Sequence, residues 1–258
     1  MGLSDNRFSS NFQSTTLKTS QPFMKLLSYF LLFIGPWLGA QTATETAPPK
    51  IRFASDIAKF VAQDKANPPP QNALLIAGSS SARYWITATE DFKPYPVINR
   101  GFGGSKTTEV LATMDRIALP YHPRVVIYFA GTNDLAGGSK AEAVVENIRQ
   151  YIDRLRKENP KTGFVIMAGL KSPKRKPHWE EFDKFNSLLQ KFCATGKNLY
   201  YVDHNKVMNT ATGEAIATYY REKGDAALHA SAAGYAEIIK LVRPVVDQAW
   251  IASDPSAK

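Results

Sequence analysis

The sequence predicts one α/β domain with three layers, in which helices cover both faces of a five-stranded parallel sheet. Short apolar runs alternate with longer amphipathic segments along the chain, and this alternation is typical of parallel sheets. The 258 residues contain neither an internal repeat nor a second composition regime. With 44% hydrophobic and 21% charged residues, the chain can bury one sizeable core, which excludes a wholly disordered protein.

The first 50 residues lie ahead of this predicted domain. Residues 24–40 combine a short positive end, an apolar run and small residues, so they predict a secretory signal peptide. An uncleaved membrane anchor is the alternative. Residues 1–23 form a polar extension, for which a mis-assigned start codon is one explanation, and residues 41–50 form a linker. We therefore expect a periplasmic or secreted protein that contacts a membrane only if the anchor is uncleaved.

Five apolar runs predict the strands of the sheet. Each run is bounded by turn residues, is rich in β-branched or aromatic side chains, and is too continuous for a half-exposed strand. The runs are ALLIA (73–77), PVIN (96–99), VVIYFA (125–130), FVIMAG (164–169) and LYYVD (199–203).

The segments between these runs have the apolar spacing of helices. They cover residues 51–64, 107–119, 140–158, 179–193 and 231–250. Pro244 predicts a kink or a short break in the last helix. The predicted domain therefore spans residues 51–251, with a tail at 252–258.

Charge and cysteine content argue against several kinds of binding site. The formal net charge is +9, and the densest basic run, Lys171 to Lys176, is better interpreted as a solvated loop than as a polyanion site. No nucleic-acid-binding motif is present, so we expect no nucleic-acid partner. The single cysteine, Cys193, excludes an intramolecular disulfide and a multi-cysteine zinc site, and its position in an amphipathic helix predicts burial.

Polar residues with catalytic potential follow the predicted strands. Ser80 follows the first strand, a glycine-rich loop with Gly104 follows the second, and Asn133 follows the third, while His229 lies just ahead of the last helix. Ligands of open parallel sheets bind at the carboxyl ends of the strands, so these loops are expected to converge. A histidine base activates a serine nucleophile, and glycine N–H groups or an asparagine amide can hold the oxyanion.

Four segments containing these residues resemble the blocks of the SGNH (GDSL-type) hydrolase family, in order and at compatible spacing: IAGSSSARYW, VINRGFGGSKTTEV, VVIYFAGTNDL and LHASAAGY. The segment GLKSPKRKPHWEEFDKFNSLL also resembles one bacterial secreted subgroup. The resemblance implies a flavodoxin-like hydrolase fold. It also implies that Ser80 is the nucleophile, that His229 is the base, and that Ser80 N–H, Gly104 N–H and the Asn133 amide form the oxyanion hole. Members hydrolyse esters of acetylated carbohydrates, lipids or small molecules without a metal or organic cofactor.

Two positions depart from the family pattern. Ser79 replaces the usual Asp before the nucleophile, and Ala226 occupies the position of the usual Asp three residues before the histidine. Asp225 lies one residue further back and completes the triad if the loop brings its carboxylate to His229. Otherwise the site is a Ser–His dyad, with His229 oriented by a backbone carbonyl or another side chain.

Other functions share parts of this pattern. Ala226 leaves open a non-catalytic carbohydrate- or lipid-binding module that kept the cleft and lost turnover. An acyltransferase on the same fold would share every residue named above. The α/β-hydrolase fold is disfavoured, because its G-x-S-x-G elbow would require glycine where Ala82 stands.

Overall fold

The computed structural model describes residues 52–254, so the predicted extension, signal peptide and linker lie outside the described residues. The described chain forms a five-stranded parallel sheet in the order β2-β1-β3-β4-β5. The strands are β1 (Leu74–Gly78), β2 (Val97–Gly101), β3 (Val125–Phe129), β4 (Gly163–Met167) and β5 (Leu199–Val202). The predicted fold class is thereby confirmed, with each strand within a few residues of its predicted position.

The helices alternate with the strands. They are α1 (Ala54–Ala66), α2 (Ser80–Arg83), α3 (Ala88–Asp91), α4 (Thr107–Ala112), α5 (Met114–Ile117), α6 (Thr132–Ala136), α7 (Ala141–Glu158), α8 (Trp179–Thr195), α9 (Asn205–Met208) and α10 (Ala232–Ala252). The single helix predicted over 107–119 is two short helices that meet at Thr113, whose hydroxyl bonds to the carbonyls of Glu109 and Val110. Helix α10 continues through Pro244 without a break.

The sheet separates two hydrophobic clusters. Alternate strand residues such as Leu75 and Val126 face the cluster formed with α1, α4, α5, α7 and α8, while their neighbours such as Ile76 and Ile127 face α10. Every residue of β1, β3 and β4 is buried, whereas β2 and β5 include partly exposed residues. The prediction of full burial therefore holds for the three central strands, and the two edge strands depart from it.

The order of the strands determines where a site can form. The chain runs from β1 outward to β2 and then back across β1 to β3. Such a reversal opens a crevice at the carboxyl ends of β1 and β3, where ligands of this fold class bind. Within residues 52–254, no helix is both long and apolar enough to cross a membrane.

Candidate active site

Ser80 and His229 meet at the carboxyl end of the sheet, although 149 positions separate them in the chain. Oγ of Ser80 lies 3.0 Å from Nε2 of His229. Ser80 is the first residue of α2, two residues after the glycine that ends β1. That glycine, Gly78, has φ of +145°, and a Cβ there would lie 2.2 Å from the carbonyl oxygen of Phe129. Glycine therefore permits both the turn out of β1 and its close approach to β3.

The carboxylate that holds His229 belongs to Glu222. Its Oε1 lies 2.6 Å from Nδ1 of the imidazole, and its Oε2 accepts the backbone N–H groups of His229 at 2.9 Å and Leu228 at 3.1 Å. Asp225 is exposed in the 3₁₀ turn Gly224–Ala226 and does not bond to His229. The expectation that Asp225 completes a triad is therefore wrong, and His229 is oriented by another side chain, as the alternative allowed.

A local reversal of the chain brings Glu222 to His229. Tyr220 and Ala230 form an antiparallel bridge, and the N–H of Arg221 donates to the carbonyl of His229 at 2.9 Å. Gly224, with φ of +55°, lies within the reversal. Residues on the two sides of such a bridge face each other, so a carboxylate seven positions before His229 reaches its ring.

The surroundings of Glu222 favour its ionised form. Partial burial by itself raises the pKa of this carboxyl, but the hydrogen bonds from the His229 ring and from the N–H groups of His229 and Leu228 outweigh burial and lower the pKa to about 2. An ionised carboxylate only accepts hydrogen bonds, so Nδ1 of His229 carries the proton. Nε2 is then free to accept the hydroxyl proton of Ser80.

Asn133 lines the same cavity as Ser80 and lies in the first turn of α6. Its Nδ2 donates to the carbonyl of Ser105 at 3.0 Å, and its Oδ1 accepts Nη2 of Arg175 at 2.9 Å. These two contacts assign the orientation of the amide, because its oxygen faces the guanidinium. One N–H of Nδ2 is left for a further acceptor.

The glycine-rich loop after β2 packs against the nucleophile. A Cβ on Gly103 would lie 4.0 Å from Cβ of Ser80, and Gly104 has φ of +81°, which favours glycine. The carbonyl of Gly104 accepts Nη2 of Arg52 at 3.1 Å. The assignment of the Ser80 and Gly104 N–H groups to an oxyanion hole stays a prediction.

Asp134 and Ser79 hold the loops around the site together. Both carboxylate oxygens of buried Asp134 lie 3.0 Å from the N–H of Thr107, and one accepts the Thr107 hydroxyl at 2.7 Å. This contact ties α6 to the start of α4. Burial raises the pKa of Asp134, while the bonds from Thr107 oppose that rise. Ser79 makes no capping bond through its side chain, and its hydroxyl instead donates to the carbonyl of Phe129 at 3.4 Å.

Ser80, Asn133 and His229 line one small cavity together with Arg175. Arg175 corrects the interpretation of the basic run at 171–176 as a solvated loop. Lys174 and Lys176 are exposed as expected, but the guanidinium between them turns inward. Larger cavities occur elsewhere between residues 52 and 254, but they lack the Ser–His pair, so chemistry and not size identifies the site.

Three residues of the site escaped the sequence reasoning: Glu222, Arg175 and Tyr84. The ring of Tyr84 meets the ring of His229 edge-on, with centroids 4.9 Å apart. Its place four positions after Ser80 could have indicated this contact, since such spacing returns to the same side of a helical turn. No sequence signal separates Arg175 from its basic neighbours. In the described part of the chain, no group of three or more His, Cys, Asp or Glu residues could hold a metal ion.

Comparisons with known proteins indicate the family of this chain. Residues 75–237 match the model of the GDSL-like Lipase/Acylhydrolase family. A GDSL-like lipase structure from Bacteroides thetaiotaomicron is 18% identical, with a TM-score of 0.64 over 75% of this chain and 98% of that chain. A carbohydrate esterase family 3 structure from Talaromyces cellulolyticus is 14% identical, with a TM-score of 0.56 over 71% of this chain and 99% of that chain.

The two structural likenesses show the shared fold, and a comparison with curated proteins finds no match. The family model covers more than half of the chain, including Ser80, Asn133 and His229. The chain therefore belongs to the GDSL-like lipase/acylhydrolase family, also called SGNH hydrolases, and is an ester hydrolase.

Proposed function

We propose that this protein is a serine esterase that cleaves carboxylic esters through an acyl-enzyme intermediate. The observation that carries the proposal is the chain of contacts from Ser80 Oγ through His229 to the Glu222 carboxylate, with distances of 3.0 Å and 2.6 Å. A serine is a weak nucleophile alone, and a histidine oriented by a carboxylate is the arrangement that activates it.

The reaction proceeds in two halves. Oγ of Ser80 attacks the ester carbonyl carbon while Nε2 of His229 takes the hydroxyl proton, and His229 then gives that proton to the leaving alcohol as the carbon–oxygen bond breaks. Water attacks the resulting acyl-enzyme with His229 again as the base, which releases the carboxylic acid and restores Ser80. The Asn133 amide and the N–H groups of Ser80 and Gly104 hold the oxyanion of both tetrahedral intermediates.

We propose a short acyl group on a carbohydrate or another small alcohol as the substrate. The cavity beside Ser80 is small, which suits a short acyl chain. The protein from T. cellulolyticus that shares this fold is named a carbohydrate esterase. The apolar segment at 24–40 supports a periplasmic or secreted location. The alternative of a non-catalytic binding module rested on Ala226, which leaves no acid at the usual position before His229. Glu222 supplies that carboxylate instead, so hydrolysis is favoured over the binding module.

A fluorophosphonate probe tests the proposal without a choice of substrate. The purified protein is treated with the probe, and its intact mass is compared with that of the Ser80→Ala and His229→Ala variants. We expect one adduct on the wild type, none on Ser80→Ala and much slower labelling of His229→Ala. A folded wild-type protein that takes up no probe would overturn the proposal. Acetyl and longer acyl esters, with and without an acceptor alcohol, then define the acyl group and separate hydrolysis from acyl transfer.

A further inference from the structure

We propose that Arg175 makes this site selective for esters that carry a negatively charged group, such as a carboxylate, near the ester bond. The inference rests on the proposed esterase function, because it concerns the substrate of the same cavity. Arg175 lies outside the four segments that contain Ser80, Gly104, Asn133 and His229.

The position of Arg175 gives it access to a bound substrate. It lies in the 3₁₀ helix Pro173–His178 and lines the cavity that also contains Ser80 and His229. Its side chain is neither exposed nor fully buried. Nη2 donates to Oδ1 of Asn133, and Nη1 has no hydrogen-bond partner among the described residues. Nε also lacks a partner, but it is buried out of reach of a ligand. The guanidinium therefore has unused donor capacity inside the cavity.

The charge of Arg175 is not balanced by the protein. Guanidinium groups removed from water are usually paired with an acid, as Arg100 is with Asp64 here. Within residues 52–254, Arg175 forms no ion pair, and the residues that line the cavity include no carboxylate. Burial lowers the pKa of Arg175, yet a guanidinium stays charged at neutral pH. An anionic group on the substrate would supply the missing partner.

Glu222, the carboxylate that contacts His229, does not balance the charge of Arg175. Both oxygens of Glu222 are engaged, one with the His229 ring and the other with two backbone N–H groups. Lys174 and Lys176 flank Arg175 in the chain and are exposed, and the guanidinium of Arg221 lies 4.3 Å above the ring of Tyr84. Arg175 is nevertheless the one charged side chain apart from His229 among the residues described as lining the cavity, so it is the group that a substrate anion would contact.

Arg175 could act only by orienting Asn133, and this alternative predicts a different result. A brace on Asn133 would lower the rate for every ester by the same factor when removed. A charge contact to the substrate would instead change the ratio of the rates for charged and neutral esters. The ratio therefore separates the two roles, whatever the loss of overall activity.

The experiment compares matched esters that differ only in charge. One pair places the charge on the leaving group, as 3-acetoxybenzoate and its methyl ester. The other pair places it on the acyl group, as 4-nitrophenyl hydrogen adipate and 4-nitrophenyl methyl adipate. Values of kcat/KM are measured for the wild type, Arg175→Met, Arg175→Lys and Lys176→Met, with Ser80→Ala as the background. Lys176→Met is the matched control, because it removes one positive charge from the same segment at an exposed position.

We expect the wild type to prefer the charged ester of at least one pair by about tenfold or more, as a hydrogen bond to a charged group would supply. Arg175→Met should abolish the preference, Arg175→Lys should keep part of it, and Lys176→Met should leave it within about twofold, since exposed charges are largely screened. Two results would overturn this inference but leave the proposed function intact. In the first, the esters are cleaved in a Ser80-dependent reaction with no preference for the charged member of either pair. In the second, the preference for the charged ester survives Arg175→Met. If no ester is cleaved above the Ser80→Ala background, the proposed function and this inference fail together.

Discussion

Oε1 of Glu222 lies 2.6 Å from Nδ1 of His229, although Ala226 occupies the position where this family usually carries the acid. The carboxylate reaches the ring because Tyr220 and Ala230 pair across a reversal of the chain. The same carboxylate also accepts two backbone N–H groups, including that of His229 itself. Glu222 therefore fixes both the imidazole and the loop that carries it.

Replacing this carboxylate should slow the chemistry without preventing folding. Glu222→Gln keeps the size of the side chain but removes the negative charge that stabilises protonated His229, so kcat should fall by roughly 10²–10⁴-fold. Asp225→Asn is the matched control, because Asp225 is exposed and does not bond to His229, and it should change kcat by less than about twofold. Steady-state kinetics with 4-nitrophenyl acetate measure both. A large loss in Asp225→Asn with little effect of Glu222→Gln would restore the arrangement expected from the sequence.

Asn133 should contribute mainly to the transition state. One of its amide N–H groups has no partner among the described residues, and Asn133 lines the same cavity as Ser80. If this N–H holds the oxyanion, Asn133→Ala should lower kcat by roughly 10²–10³-fold with little change in KM. Asn147→Ala is a suitable control, since Asn147 donates to the Thr107 hydroxyl at 3.0 Å and does not line the cavity. Equal losses in the two variants, measured by kcat and KM on one ester, would show that Asn133 acts only through the structure of its loop.

The sequence alone was sufficient to predict the fold and the site residues that directly follow the strands. Strand runs and amphipathic spacing predicted the five-stranded sheet because burial imposes those patterns. Ser80 and Asn133 were predictable because they follow β1 and β3, whose carboxyl ends are neighbours. The interruption of the predicted helix at Thr113 was not predictable, since the apolar spacing continues through it.

Glu222 and Arg175 were not predictable for a different reason. Their positions depend on irregular segments, an antiparallel bridge in one case and a 3₁₀ helix in the other, and neither has a regular spacing of side chains. In the sequence, Asp225 is the acid nearest to the histidine, but the turn points this residue to solvent. Closeness along the chain therefore does not identify the acid that contacts His229.

The stability of the nucleophile turn should depend on Gly78. In Gly78→Ala a Cβ would lie 2.2 Å from the Phe129 carbonyl oxygen at φ of +145°, so overpacking and backbone strain should together lower the free energy of unfolding by about 3 kcal/mol. Gly138→Ala is the control, because Gly138 has φ of +87° but no atom within 4 Å, and it should cost about 1 kcal/mol. Urea denaturation measures both. Similar losses would mean that strain alone, and not the close approach of β1 and β3, sets the cost.

Buried His204 should make the protein sensitive to mild acid. It packs edge-on against Phe129, with centroids 5.0 Å apart, and burial lowers its pKa to about 4, with weaker opposing effects from Asp203 and the Val202 backbone. Because the unfolded chain binds this proton at a pKa of about 6.5, the folded state loses stability as the pH falls from about 6.5 to 4.

The loss from His204 should total on the order of 3 kcal/mol across that range. His204→Phe removes the titrating group while keeping an aromatic ring against Phe129, so its free energy of unfolding should depend less steeply on pH between 6.5 and 4. Urea denaturation of both proteins at pH 7, 6, 5 and 4 provides the comparison, and the difference between the two curves is the measure, because acidic side chains titrate in both. Parallel curves would show that His204 is protonated in the folded protein or that the unfolded state does not bind the extra proton.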